Sequence, residues 1–211
     1  MAPMQDSTGE SPRGRFLVVD GPDGCGKSTQ ARLLAEHLGV EPDLHLREPG
    51  STGLGEGLRA LLLDRSQRIG PAAETLMFAA ARRQMLEELV APALARGADV
   101  VCERFNPSTF AYQAVAGELD PERVLELLHA WAGEPAPDLV LWLDLDVEEA
   151  ARRRGAASDR IEDKGLDFQR RVAEGYRLYA ERDPRVVRID ALGTPEEVQE
   201  RILQEVAGVR A

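Results

Sequence analysis

The chain is poor in cysteine and in aromatic residues. Cys25 and Cys102 are its two cysteines, and aromatic residues make up 5% of its 211 residues. Two cysteines exclude the disulfide framework of a small secreted protein, so we expect a reducing compartment, the cytoplasm. No run of 18 apolar residues is present, which argues against a membrane-spanning helix, and we expect no membrane partner.

Positive charge is also scarce. The formal net charge is −11, from 26 Lys and Arg against 37 Asp and Glu, and we expect no nucleic-acid partner because phosphate backbones would be repelled. Small phosphorylated ligands stay open, since they need only a local group of arginines. The first fourteen residues are polar and lack an apolar signal-peptide region. We therefore expect 1–14 to be a disordered tail and 15–211 to form one domain.

The chain does contain a complete phosphate-binding pattern, G-x-x-x-x-G-K-[ST], at 21–28. It follows an apolar run at 16–19 and precedes a helical pattern at 30–38, which is the context that the pattern requires. Glycines let successive backbone N–H groups surround an anion, and the helix dipole adds to the attraction. The nucleotide-binding residues predicted in this way are Gly21, Pro22, Asp23, Gly24, Cys25, Gly26, Lys27, Ser28 and Thr29.

Two side chains of this loop have distinct expected tasks. Lys27 is expected to reach the β- and γ-phosphates, and Ser28 to offer its hydroxyl to Mg²⁺. Thr29 suits the first turn of the helix better than a second metal position. The pattern predicts binding of ATP or GTP with Mg²⁺, and it leaves open whether the protein phosphorylates an acceptor, hydrolyses the nucleotide or acts as a switch.

The remaining chain alternates apolar runs with helical patterns. We expect strands at Phe16–Asp20, Val100–Glu103, 139–145 and Val186–Asp190, and a weaker fifth at 44–47. We expect helices at Lys27–Leu38, 54–64, 71–96, 107–116, Pro121–Ala132, Val147–Arg154, 166–181 and Pro195–Val206, with Pro92 kinking or splitting the longest. This order predicts an α/β fold in which helices cover both faces of a parallel five-stranded sheet and ligands bind at the strand carboxyl ends.

Arginines recur near those carboxyl ends. Arg47 and Arg104 directly follow expected strands, and Arg59 and Arg82 lie on expected helices. Each alone is more typical of a solvated surface charge, but two at strand ends beside a phosphate-binding loop favour ligand binding. A further basic stretch at 152–160 is either a helix end stabilised by its dipole or, as we favour, a lid at about 152–162 that brings an arginine to the transferred phosphoryl group.

The order of these segments resembles thymidylate kinase, which transfers phosphate from ATP to dTMP. Besides the phosphate-binding loop, the matching segments are Arg47-Glu48-Pro49-Gly50, 58–63, 76–82, Glu103-Arg104-Phe105, 108–113 and Asp159-Arg160-Ile161-Glu162. The resemblance extends from Phe16 to about Val206, and the segments at 76–82 and 108–113 are the most specific. It implies a P-loop nucleotide kinase with a short lid, and it suggests a homodimer.

The resemblance also implies roles for the sugar and the base. Asp23 would contact the deoxyribose hydroxyl, and Tyr112 would occupy the place of a ribose 2′-OH. Phe78 would stack on thymine, although its spacing alone fits an ordinary core aromatic equally well. Arg82, one helical turn further on, would read the base edge, and Thr109 would hydrogen-bond the base.

The remaining implied roles concern the phosphates. Arg104, with Arg47 and Arg59, would hold the dTMP phosphate, and Ser108 and Gln113 would complete the substrate site. Lys27, Arg104 and a lid arginine would neutralise the transferred group; the lid arginine is Arg153 or Arg160, between which the sequence does not choose.

One position departs from the family pattern. Where the family usually has Asp-Arg and an aromatic residue, this chain has Glu103-Arg104-Phe105. Glu103 still offers oxygen to Mg²⁺, together with Ser28, but its side chain is one methylene longer. Besides dTMP phosphorylation, three alternatives stay open: another nucleotide or deoxynucleoside kinase on this fold, a P-loop NTPase or switch without an acceptor, and a nucleotide-binding protein that has lost catalysis.

Overall fold

Five parallel strands form the centre of the protein. The computed structural model describes residues 13–154, 161 and 164–209. The strands are β1 Phe16–Asp20, β2 His45–Arg47, β3 Val100–Glu103, β4 Leu139–Asp144 and β5 Val186–Asp190. They lie in the order β2-β3-β1-β4-β5, and every neighbouring pair is parallel. The expected sheet is confirmed, including its weak fifth strand, whose expected first residue instead ends a 3₁₀ turn, Pro42–Leu44.

Helices connect the strands. They are α1 Lys27–Leu38, α2 Gly53–Leu63, α3 Pro71–Met85, α4 Ala91–Ala95, α5 Asn106–Thr109, α6 Pro121–Ala132, α7 Val147–Arg154, α8 Leu166–Ala180 and α9 Pro195–Val206. Four of these have the limits that the sequence predicts, since capping signals mark them: α1 ends at Gly39 in the left-handed region, and Thr194 and Glu197 form a capping box at the start of α9.

Two expected helices are not uniform. The helix expected at 71–96 contains a π-helical segment, Leu86–Val90, which ends just before Pro92. Proline has no N–H for the carbonyl four residues earlier, and the hydrogen-bond register changes just before it; the three segments follow one another without a gap, so the helix is not split at Pro92. The helix expected at 107–116 begins at Asn106 and continues from α5 into a second π segment, Phe110–Val115.

The sheet is buried on both faces because successive side chains of β1 point to opposite sides. Leu17 and Val19 pack with α1 and α9, whereas Phe16 and Val18 pack with Met85 and the π segment that follows α3. This two-sided burial explains the continuous apolar sequence of the strand. It also leaves the carboxyl ends of the strands as the place where polar side chains collect.

Two expectations concern the edges of the described chain. Arg13 and Gly14, which the sequence assigns to the tail, already contact the domain: Arg13 pairs with Asp138 at 2.8 Å and the Gly14 amide donates to Leu94. Both residues therefore contact the folded part of the chain, and the expected tail and domain limits stay a prediction. Of the expected lid, the described residues are Arg152–Arg154 and Ile161.

Within the described part of the chain, no helix is both long enough and apolar enough to cross a membrane.

Candidate active site

A cavity of about 490 Å³ lies at the carboxyl ends of β1, β2 and β3. The structure brings together there all ten residues expected to bind the acceptor: Asp23, Arg47, Arg59, Phe78, Arg82, Arg104, Ser108, Thr109, Tyr112 and Gln113. Gly24, Lys27, Ser28 and Glu103 line the same cavity. The phosphate-binding loop and the expected acceptor site are thus one continuous surface.

The phosphate-binding loop owes its shape to glycines. Gly24 and Gly26 have φ of +89° and +93°, in the left-handed region that glycine tolerates best. A Cβ on Gly24 would lie 2.1 Å from the carbonyl oxygen of Ala150, so the loop packs directly against the backbone of α7. Gly26 precedes α1 and offers no side-chain cap, which leaves the first N–H groups of that helix available to an anion.

Asp23 links three functional side chains. Its Oδ1 pairs with Lys27 Nζ at 3.1 Å and with Arg104, and its Oδ2 accepts a hydrogen bond of 2.9 Å from the Tyr112 hydroxyl. Burial disfavours the carboxylate, but Arg104 and Lys27 outweigh it and hold the pKa of Asp23 well below its usual range. Asp23 is therefore an anion that fixes two cations and a phenol at the mouth of the loop.

Arg104 occupies a constrained backbone position. Its φ is +68°, uncommon for a residue with a side chain, and its amide donates to Val19 O at 3.0 Å. The side chain donates to Ser108 Oγ at 3.0 Å, and its guanidinium carbon lies 5.4 Å from the centre of the Tyr112 ring. Burial opposes the charge, but Asp23 raises the pKa of Arg104, so it stays a cation in the cavity.

Asp20 holds the turn that contains Arg104. Its buried carboxylate accepts hydrogen bonds from the amides of Gly21, Phe105 and Ser108, and from the hydroxyls of Ser108 and Tyr176. Phe105 stands at the N-cap of α5 and cannot cap it, so the β1 carboxylate does this from outside the helix. Asp20 and Tyr176 were not among the predicted site residues.

Tyr112 and Phe78 both line the cavity, and their expected contacts with a sugar and a base stay predictions. Tyr112 is 4% exposed, and burial raises the pKa of its phenol, which stays protonated and donates to Asp23. The ring of Phe78 is only partly buried and lines the cavity, so it is available for stacking. The Ser108 hydroxyl is engaged by Asp20 and Arg104, which makes it part of the wall.

The base end of the cavity contains a buried arginine. Arg82 is 1% exposed and donates to Glu48, Asn106 and Thr109. Burial raises the pKa of the Glu48 carboxyl to about 7 against the opposing effect of Arg82. Gln113, beside this group, donates to the buried carboxylate of Glu74 at 2.8 Å. Glu48 and Asn106 had no predicted role.

Arg47 and Arg59 also line the cavity, and Arg47 is the more exposed of the two. Arg47 is exposed, and its nearest carboxylate oxygen, on Glu56, is 3.5 Å away. Arg59 donates to the carbonyl oxygen of Pro49 at 3.0 Å. Both can meet an anion that enters from solvent, as expected for a phosphate site.

The residues expected to hold Mg²⁺ fit that ion. Ser28 is exposed in the first turn of α1, and Glu103 ends β3; both line the cavity. A hydroxyl and a carboxylate are hard oxygen ligands, and Mg²⁺ commonly takes one or two of these besides water and phosphate. Glu103 also lies 3.5 Å from His45 Nε2, without a hydrogen bond to that nitrogen.

Of the two candidate lid arginines, the structure describes Arg153. Arg153 donates to Glu149 at 2.7 Å and to the carbonyl oxygen of Ala191 at 3.1 Å, and it is not a lining residue. Arg160 lies outside the described residues. The choice between the two stays a prediction.

Comparison with known proteins agrees with this geometry. A sequence model of the family described as thymidylate kinase matches residues 19–202. The chain belongs to the thymidylate kinase family. A thymidylate kinase of Synechococcus sp. is 46% identical over 207 residues, which is 93% of this chain and 96% of that protein. A thymidylate kinase of Alkalilimnicola ehrlichii is 44% identical over 201 residues, 92% of each.

A solved structure shows the same fold. The thymidylate kinase of Ehrlichia chaffeensis superposes with a TM-score of 0.74 at 29% identity and covers 92% of this chain and 99% of its own. The expected P-loop kinase fold is thereby confirmed. So is the enzyme class, an ATP-dependent nucleoside monophosphate kinase of the family that converts dTMP to dTDP.

Proposed function

We propose that this chain transfers the γ-phosphate of ATP to the 5′-phosphate of dTMP, giving dTDP and ADP for dTTP synthesis, with dTMP in the cavity of about 490 Å³. The observation that carries this assignment is the convergence of the ten expected acceptor residues on one cavity beside Lys27 and Ser28. The acceptor phosphate is already an anion, so the reaction needs no strong general base. The protein's task is to align two anions and neutralise them.

The phosphate-binding loop takes ATP. Its left-handed glycines and the uncapped start of α1 direct N–H groups at the phosphates, and Lys27 reaches the β- and γ-phosphates. Asp23 keeps Lys27 and Arg104 side by side, so the two cations flank the position of the transferred group. Arg104, with Arg47 and Arg59 nearby, holds the dTMP phosphate.

Sugar and base are selected at the inner end of the cavity. The Tyr112–Asp23 pair occupies the space beside the sugar and disfavours a 2′-OH. Phe78 stacks on thymine, and Arg82 and Thr109 meet its polar edge. Ser108 and Gln113 complete the wall.

Ser28 and Glu103 are the residues that would hold Mg²⁺, which would supply positive charge beside the ATP phosphates. A cation from the expected lid, Arg153 or Arg160, completes the neutralisation of the transferred group.

The active form proposed is a cytoplasmic homodimer. Leu54 and Leu61 are 51% and 49% exposed and lie two turns apart on one face of α2; Leu76 of the adjacent α3 is 58% exposed. Such apolar exposure suits an interface with a second copy. Both cysteines are buried free thiols, which fits a reducing compartment.

The test is ADP release from ATP and Mg²⁺ with a panel of acceptors: dTMP, dUMP, dCMP, dGMP, AMP, UMP and thymidine. We expect strong ADP release with dTMP, weak release with dUMP and none with thymidine. An equal rate with and without every acceptor would contradict the assignment and indicate a P-loop NTPase.

A further inference from the structure

Arg82 is among the largest fully buried side chains of the protein. A buried guanidinium is costly unless its charge is paired and its N–H groups are bonded. Arg82 projects from α3 into the base end of the cavity, where the chain surrounds it with partners from two other segments.

Those partners occupy much of the guanidinium. Nε donates to Glu48 Oε2 at 2.7 Å, Nη1 donates to Asn106 Oδ1 at 2.7 Å, and Nη2 donates to Thr109 Oγ1 at 3.1 Å. Nη2 also lies 2.5 Å from Glu48 Oε2 as an ion pair. A guanidinium has five N–H groups, and within the described residues the second N–H of Nη1 has no hydrogen-bond or ion-pair partner and is open to a ligand.

Stability alone is a weak explanation for this arrangement. A buried ion pair is often no more stabilising than apolar side chains of the same volume. Glu48 is 5% exposed, and its second oxygen, Oε1, has no hydrogen-bond partner among the described residues. The Glu48 carboxylate is therefore not fully hydrogen-bonded itself, whereas its Oε2 accepts a hydrogen bond from Nε of Arg82 and pairs with Nη2, which fixes the plane of the guanidinium.

We propose that Glu48 is a positioning residue for base selection, which with Asn106 fixes Arg82 so that one guanidinium N–H and the Thr109 hydroxyl meet the base. The inference rests on the proposed function. Because Thr109 Oγ1 accepts from Arg82, the Thr109 proton is free to be donated. Two donors suit thymine, which has a carbonyl oxygen at position 4, and oppose cytosine, which has an amino group there.

The first test is Glu48→Gln, which keeps the size of the side chain and removes the charge that holds Arg82. We expect KM for dTMP to rise about tenfold or more, with kcat and KM for ATP within about threefold, since tenfold corresponds to the loss of about 1.4 kcal/mol of binding. The ratio of kcat/KM for dTMP to that for dCMP should fall about tenfold. Glu87→Gln is the matched control, because Glu87 pairs with Arg83 on the exposed side of the same helical stretch and is 56% exposed.

Asn106→Ala is the second variant, and it decides the question if Glu48→Gln does not fold by circular dichroism. It should raise KM for dTMP and lower the dTMP/dCMP ratio in the same direction. A folded variant with the wild-type KM and ratio would overturn the proposal, and so would a parallel rise in KM for ATP, which indicates general loosening. Failure of the proposed function looks different, since the wild-type protein would then lack dTMP-dependent ADP release.

Discussion

Asp20 is a buried carboxylate that holds the turn containing Arg104 in place. Each of the five hydrogen bonds to its carboxylate comes from an N–H or O–H group, and no side-chain cation of the described residues pairs with it. A carboxylate whose oxygens accept this many hydrogen bonds is well satisfied when it is buried. It joins β1 to the turn after β3 and to Tyr176 of α8. The position of Arg104 therefore depends on Asp20, although the two side chains share no hydrogen bond.

Replacing Asp20 by Asn should therefore be costly. In Asp20→Asn an NH₂ group would face the amides of Phe105 and Ser108, or the hydroxyls on the other side, and leave buried donors unpaired. We expect a loss of about 2 to 5 kcal/mol in the free energy of unfolding, measured in urea. Asp120→Asn is the control: Asp120 caps α6 at the surface, and Asn caps equally well, so it should change stability by less than about 0.5 kcal/mol. Equal stabilities for the two variants would contradict this account.

At this scale, sequence analysis found the ten expected residues that line the cavity but not the acids that hold them in place, which are Asp20 and Glu48, the latter itself part of the cavity lining. Asp23, Arg104 and Tyr112 belong to motifs whose chemistry can be read locally. Asp20 bonds partners 85 and 88 positions away, and Glu48 bonds Arg82 across 34 positions. Such pairs can be recognised only when the order of the strands is known. The sequence did offer one signal for each acid: Asp20 directly precedes the phosphate-binding loop, and Glu48 directly follows Arg47.

At the scale of elements, the phosphate-binding loop is restricted by its neighbours at one glycine and not at another. Gly24 lies against α7, while a Cβ on Gly26 would meet no heavy atom within 4 Å. Both have positive φ, so they share the backbone strain of a substitution and differ only in packing.

This difference predicts unequal effects of two alanine substitutions. Gly26→Ala should cost about 1 to 3 kcal/mol, from the left-handed backbone alone. Gly24→Ala should cost about 1 to 3 kcal/mol more, because its Cβ collides with the Ala150 carbonyl and must displace α7. Thermal and urea unfolding of the nucleotide-free proteins measure both, and a Gly26→Ala variant less stable than Gly24→Ala would refute the packing argument.

Helix limits were predictable where the chain carries its own signals, such as Gly39 after α1 or Thr194 before α9. The π segments were not predicted as such, since their apolar spacing resembles that of an ordinary helix. The segment at Phe110–Val115 follows directly from the helix that Asp20 caps and carries Tyr112 and Gln113 into the cavity. Its register is set by packing against α8 rather than by local propensity.

For the molecule as a whole, the strand order explains why donor and acceptor sites touch. β1, which leads into the phosphate-binding loop, is paired on one side with β3, which leads to Arg104, and β3 is paired with β2, which leads to Arg47 and Glu48. Parallel strands end at the same edge, so three distant segments of the sequence converge there. The fold class and this edge were predictable from alternating apolar and helical segments; the strand order was not.

The proposed homodimer can be tested at the same scale. Leu61→Glu should convert the dimer to a monomer in sedimentation at micromolar concentration, because it places a charge in the apolar face of α2. Leu192→Glu is the matched control, since Leu192 is 58% exposed but lies between β5 and α9, away from that face. A wild-type monomer, or a dimer that survives Leu61→Glu and not Leu192→Glu, would rule out the α2 interface.

Because Asp20 of β1 caps α5 from outside the helix, it also affects how readily this part of the site opens to solvent. The amides of Phe105 and Ser108 lie at the start of a helix, where protons usually exchange quickly with solvent. Here they end on a buried carboxylate of the central strand. The amides of Phe105 and Ser108 should therefore take up deuterium as slowly as the amides of the central sheet. The turn that contains Arg104 would then unfold with the core of the protein and not as a labile loop.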